Sequence, residues 1–160
     1  MESTSFSSSD KATRYREALE QLEALCEPGG DLIANLANAS ALLKDCIPLA
    51  SWVGFYVRRG DQLVLGPFQG KVACTTIAFG RGVCGTAAAT KETVVVRDVE
   101  AFPGHIACDA GSRSEVVVPL VRDGEVVAVL DVDSYELAAF DAVDAQGLEA
   151  LVTQMTQWSW

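Results

Sequence analysis

The chain has 160 residues, 49% hydrophobic and 21% charged, enough for one domain with a sizeable core. A formal net charge of -10 argues against nucleic acid or an anionic membrane as a partner, since both reward clustered Lys and Arg. No apolar run approaches the roughly 20 residues that span a bilayer, and five cysteines without a secretory signal point to a reducing compartment, with cytoplasm as the expected location.

Residues 1–9 read as a mobile, Ser-rich tail and residues 10–160 as a single domain. The first half-dozen turns read as helical: Tyr15, Leu19, Leu22 and Cys26 recur at spacings of three and four until Pro28-Gly29-Gly30 breaks the pattern. A second helix runs from the N-cap Asp31 through Leu36, Ala39 and Leu43 towards Cys46. Ser51–Arg58 is aromatic and β-branched and turns at Arg59-Gly60-Asp61 into a second strand, Gln62–Phe68. Gly70, Gly80 and Gly82 imply loops over residues 69–82, with a short Ala-rich helix over Val83–Thr90. Thr93–Arg97 reads as a strand and Glu100–Arg113 as a long irregular loop carrying His105 and Cys108. Ser114–Val121 and Glu125–Asp133 form a hairpin across Asp123-Gly124, and Phe140–Trp158 returns to helical spacing. The expected architecture is α+β: a largely antiparallel central sheet of about five to six strands, N- and C-terminal helices on one face, and a loop-built pocket on the other.

On the hairpin, Asp131 and Asp133 are two apart and share a face of the strand, with Val127 and Val129. Two carboxylates on an otherwise apolar strand are costly to bury unpaired, so they line a wet pocket or hold a cation. Glu115 joins them if Gly124 forms a left-handed bulge that pairs 121 with 125 and hence 115 with 131; a plain two-residue turn sets it opposite Val132, on the wrong face. Loop caps, or partners for Arg81, Arg97 or Arg113, are the alternative use of these acids. Cys84, in GVCG near a helix start, sits where free backbone N–H groups favour a thiolate. Cys108 follows the single histidine by three residues, and Cys74 follows Gly70 and Lys71. Each of the three is a small buried residue or a reactive thiol; Cys26 and Cys46 lie on or beside apolar helical stripes and are packing. Trp52 and Tyr56, four apart on the first strand, share a face as core or as an aromatic wall. A three-cysteine, one-histidine zinc site is conceivable but weakly signalled, its ligands being scattered singly, and a Cys–His hydrolase would need an orienting partner that His105, three residues from Cys108, does not show.

The strings GPFQGKVAC, GRGVCGTAA, FPGHIACD, SEVVVP and VLDVDS, in this order and at these intervals, resemble the free methionine-(R)-sulfoxide reductases, which are single GAF domains. The resemblance implies a GAF-like fold over residues 10–160. It also implies thiol-dependent reduction of free methionine-(R)-sulfoxide through a cysteine sulfenic acid and an intramolecular disulfide recycled by thioredoxin. In that reading Cys108 is the nucleophile, Cys74 its main resolving partner, and Cys84 an alternative resolver or the attacker. Trp52 and Tyr56 wall the substrate, while Asp131 and Asp133 receive its amino group, with Glu115 hydrogen-bonded nearby and kept protonated as acid. No metal or organic cofactor is required. GAF domains often pair, and Leu151, Met155 and Trp158 belong either to such a homodimer interface or to the cover of the sheet. The competing reading is a non-catalytic GAF module that senses a small molecule or redox state.

Overall fold

The structure is a computed structural model that describes residues 3–160. Asp10 and Asp31 start the first two helices in the same way, each carboxylate accepting a backbone N–H three residues on, from Thr13 and Ala34. Helix α1 spans Lys11–Leu25 and α2 spans Leu32–Cys46, each 15 residues. Fifteen residues make about four turns, so α1 is shorter than the half-dozen turns expected; its ladder ends at Leu25 as the chain turns extended at Cys26, before Pro28. The proposed tail falls partly on Met1 and Glu2, outside the described residues. Within residues 3–9, Ser5 exchanges hydrogen bonds with Gln21, Ser7 bonds Glu17, and the Phe6 ring lies 4.5 Å from the Arg14 guanidinium.

The sheet has six strands in the order β3-β2-β1-β6-β5-β4, every neighbouring pair antiparallel. These are β1 (Trp52–Arg59), β2 (Gln62–Gln69), β3 (Thr76–Ala78), β4 (Val94–Val96), β5 (Ser114–Arg122) and β6 (Glu125–Ser134). β3 is an edge strand within the stretch read from its glycines as loop; it is only three residues long, too short for an alternation signal. Pro67 sits in a bulge of β2, where Phe55 of β1 faces two residues, which is where a residue without an N–H is tolerated.

One face of the sheet carries Val53, Phe55, Val116, Val118, Leu130 and Val132, and packs against α1, α2 and the closing helix α4 (Ala142–Met155). Leu151, Met155 and Trp158 are buried in this layer, so they cover the sheet. The other face carries Trp52, Tyr56, Val117 and Val129 and is roofed by α3 (Gly82–Thr90) and the loops around it. No helix among the described residues is long and apolar enough to cross a membrane.

The β5–β6 hairpin fixes which acids meet. Asp123 and Gly124 both have positive φ, 52° and 78°, the signature of a two-residue type I′ turn, and Arg122 pairs with Glu125. The ladder then shifts between Leu120 and Val121, leaving Val127 without an opposite residue. The bulge therefore lies in the strand and not at the turn, and Glu115 pairs with Asp133 instead of Asp131. The extra residue also reverses the phase of β6, so Val127 packs against the helix-side core and not beside Val129.

Candidate active site

Directly opposed residues of an antiparallel sheet share a face with Cβ atoms about 4.5–5.5 Å apart. Trp52 opposes Asp133, Asp133 opposes Glu115, and Glu115 opposes Val96, so four strands place these side chains in one row across the sheet. Asp131 stands in the next row, between Gly54 and Val117. Asp131 and Glu115 are each 6% exposed; Asp133 is half-buried. Among the described residues no Lys or Arg lies within 4.0 Å of these carboxyls, and their charged-type neighbour is His105, with Nε2 3.7 Å from Glu115 Oε2. The arginine partners considered from the sequence therefore do not form. Asp131 Oδ1 is buried with no hydrogen-bond partner among the described residues, and Asp131 lines the cavity.

Three carboxyls gathered at one pocket without cations shift one another strongly. Burial, then the charge of Asp133, pushes Glu115 up to about 8. Asp131 is also raised well above the usual carboxylate range, by burial and then by Glu115, and Asp133 by burial and then by Asp131. At neutral pH Glu115 is thus a carboxylic acid, able to donate a proton. Burial lowers His105, so its contact with Glu115 near pH 7 is between two neutral groups and not a salt bridge.

Cys84 lies in the first turn of α3, as expected, but burial and the charges of Asp131 and Glu115 raise its thiol well above the ordinary range. The helix N-terminus is overridden, and Cys84 is a thiol there, with Sγ 4.0 Å from Glu115 Oε1. Cys84, Glu115 and Asp131 each offer a donor within 4.8 Å of the others, the set in this pocket that could hold a cation. Cys26 and Cys46 are buried elsewhere, their thiols pushed up to about 11 and 12 by burial, which fits packing.

Cys74, on the loop between β2 and β3, and Cys108, on the loop before β5, form a disulfide with Cα atoms 5.4 Å apart and 34 residues of separation. Both loops close over the acid row, around a cavity of ≈ 40 Å³, space for about three water-sized spheres. Trp52, Tyr56, His105 and Ile106 line it with the acids.

The aromatic wall does two jobs. The Trp52 ring stacks on Phe68 at 5.2 Å and its Nε1–H donates to the Lys71 carbonyl, while the Tyr56 hydroxyl donates to the Cys74 carbonyl. Both aromatics therefore hold the Cys74 loop as well as face the cavity. Sequence reasoning missed the residues that make room for Trp52. A Cβ on Gly54 would lie 2.7 Å from Trp52 Cη2, and one on Gly70 2.4 Å from Trp52 Cδ1. A glycine inside the aromatic string SWVGFYVR was the available signal of such a close approach.

The comparisons with known proteins agree with this geometry. The sequence profile of the GAF domain matches residues 36–157. The protein named free methionine-R-sulfoxide reductase from Escherichia coli (strain K12) is 47% identical over 146 residues, which cover 91% of this chain and 88% of that protein. Its namesake from Saccharomyces cerevisiae is 48% identical over 147 residues, covering 84% and 82%. The X-ray structure of free methionine-R-sulfoxide reductase from Neisseria meningitidis, in complex with its substrate, matches with a TM-score of 0.93 at 52% identity, covering 98% of this chain and 95% of that one.

Proposed function

This chain belongs to the GAF-domain family, among its free methionine-R-sulfoxide reductases, and from that premise we propose that it reduces free methionine-(R)-sulfoxide to methionine. The observation that carries this reading is Cys108, bridged to Cys74, lining one cavity with buried Glu115 and Asp131. In the proposed reaction the Cys108 thiolate attacks the sulfoxide sulfur while Glu115 protonates the sulfoxide oxygen. Oxygen passes to Cys108, whose sulfur is oxidised by two electrons to a sulfenic acid as methionine is reduced by two and leaves. Cys74 then condenses with the sulfenic acid, forming the disulfide and releasing water. Cys84, protonated and beneath the acids, is the alternative resolver and a poor attacker. A dithiol protein of the thioredoxin class returns the bridge to two thiols, in the cytoplasm.

Selectivity follows from charge. The substrate ammonium meets Asp131 and Asp133 and by its charge favours their ionised form, the released proton leaving to solvent, and the unpartnered Asp131 Oδ1 is an acceptor for such a donor. Trp52 packs against the methyl-sulfur end. Methionine sulfoxide within a polypeptide has an amide in place of the ammonium and leaves the acids unpaired. The deciding assay incubates the protein with dithiothreitol and racemic free methionine sulfoxide and counts methionine released. Many turnovers that stop at half the substrate support the proposal. One equivalent indicates a redox sensor, none a binding module, and equal rates on N-acetylated substrate overturn the ammonium assignment.

A further inference from the structure

The loops that carry Cys74 and Cys108 are joined by more than their disulfide. Beside it, the Tyr135 hydroxyl, just past the end of β6, donates to Asp109 Oδ2 at 2.8 Å. Lys71 Nζ, on the Cys74 loop, lies 3.8 Å from the same oxygen and 5.2 Å from the centre of the Tyr135 ring. The second oxygen of Asp109 accepts the Gly111 N–H at 2.9 Å, fixing the carboxylate on its own loop. Three segments distant in sequence thus converge on one carboxylate, which is the residue next to Cys108. The Gly111 N–H and then the Tyr135 hydroxyl hold Asp109 below the ordinary carboxylate range, so it is charged throughout the working pH range.

We propose that Lys71, Asp109 and Tyr135 are positioning residues that keep the Cys74 loop against the Cys108 loop once the disulfide is reduced, and so set the rate at which Cys74 resolves the Cys108 sulfenic acid. This deepens the reading given under Proposed function and rests on its assignment of the two cysteines. The step that benefits forms the Sγ–Sγ bond and breaks the S–OH bond of Cys108 and the S–H bond of Cys74. Cys74 is oxidised, Cys108 is reduced from the sulfenic level, and water leaves. Nothing in this step needs Asp109 to touch the sulfurs; it needs the second thiol to be near before the sulfenic acid is lost to another thiol or to further oxidation. By reciprocity, whatever favours the closed loop pair favours the disulfide, and by the same factor.

The parts contribute unequally. Lys71 is 68% exposed and at 3.8 Å from its partner, so screening leaves its ion pair weak. The Tyr135–Asp109 hydrogen bond carries most of the effect; exposed to water, it has the net worth of an ordinary hydrogen bond and not of a buried charged one, a factor of about five. Tyr135→Phe removes that bond while keeping the ring against Gly111; Lys71→Met keeps the stem without the charge, and Lys71→Arg restores it.

The test needs no sulfoxide. Wild type and variants are equilibrated in reduced and oxidised glutathione, and the bridged fraction gives the effective concentration of Cys74 at Cys108. In parallel, one equivalent of hydrogen peroxide is added to the reduced proteins with dimedone, and the adduct on Cys108 is counted by mass. Tyr135→Phe is expected to lower the effective concentration about fivefold and to raise adduct at the expense of disulfide. Lys71→Met should act about twofold and Lys71→Arg near wild type, with the thermal midpoint of all reduced proteins unchanged. An effective concentration and adduct fraction for Tyr135→Phe equal to wild type overturn the proposal, as does a loss that follows a lowered midpoint of the reduced protein. Redox results as expected from a protein that releases no methionine would refute the activity and leave the clasp standing; turnover with unaltered redox equilibria would do the reverse.

Discussion

Glu115 offers a measurement in which stability and activity move in opposite directions. An unfolded glutamate loses its proton near pH 4.5, whereas folded Glu115 keeps it to about 8. Between those values the native state binds more protons, so this residue makes stability fall as pH rises, the opposite of an ordinary ion-paired carboxylate. At pH 7 the proton taken up on folding costs about 3 kcal/mol, from the 2.5 pH units between 4.5 and 7 at 1.36 kcal/mol each. The same reckoning gives less than about 1 kcal/mol at pH 5 and about 4 kcal/mol at pH 8. Glu115→Gln keeps the shape and a hydrogen-bond donor without an ionisable group. The variant is therefore expected to be more stable than wild type by up to about 3 kcal/mol at pH 7, a gain that vanishes towards pH 5. Guanidinium unfolding of both proteins at pH 5, 6, 7 and 8, with the Cys74–Cys108 bridge intact, reads this directly. Turnover should drop by about 100-fold or more, because the amide cannot protonate the sulfoxide oxygen. A stability difference that is flat with pH would refute the argument: Glu115 would then be ionised in the native state, and the acid would have to be sought elsewhere.

Other substitutions separate the remaining roles. Asp131→Asn should raise KM about 30-fold while changing kcat less, since it removes a charged partner of the ammonium worth about 2 kcal/mol; steady-state kinetics on free methionine sulfoxide check the split. Cys108→Ser should release no methionine, whereas Cys74→Ser should give about one equivalent per protein in a rapid-quench experiment and then stall with thioredoxin as reductant. Gly54→Ala drives a Cβ to within 2.3 Å of Phe68 Cβ and 2.7 Å of Trp52 Cη2. It should destabilise the protein by about 1–3 kcal/mol and shift the Trp fluorescence.

The second helix was legible almost to the residue, because Asp31 is a strong cap and the apolar stripe to Cys46 is regular. The hairpin was legible as a hairpin, and the prediction that Glu115 shares a face with Asp131 and Asp133 is what the structure shows. The reason given for it was not. Sequence marks a turn at Asp123-Gly124 but does not say where a ladder slips, and the bulge at Val127 is stabilised by tertiary packing: without it, β6 would turn two carboxyls into the helix-side core. The helix-start argument for a Cys84 thiolate failed for a similar reason. A local dipole is visible in sequence, whereas two acids brought over it by distant strands are not. Neither β3 nor the meeting of Lys71, Asp109 and Tyr135 left a periodic trace, since each depends on loops folding back over the sheet.

Cys108 sits at the solvent-exposed rim of the pocket, with Glu115 and Asp131 on its floor. In the proposed cycle a single doorway must therefore serve two visitors, the oxidised amino acid entering and the reducing protein docking on the bridge. Neither half-reaction can begin while the other's partner blocks the entrance. Double-reciprocal plots at several reductant concentrations should accordingly run parallel, the pattern of ping-pong kinetics, and a large excess of sulfoxide should slow turnover by delaying the reductant.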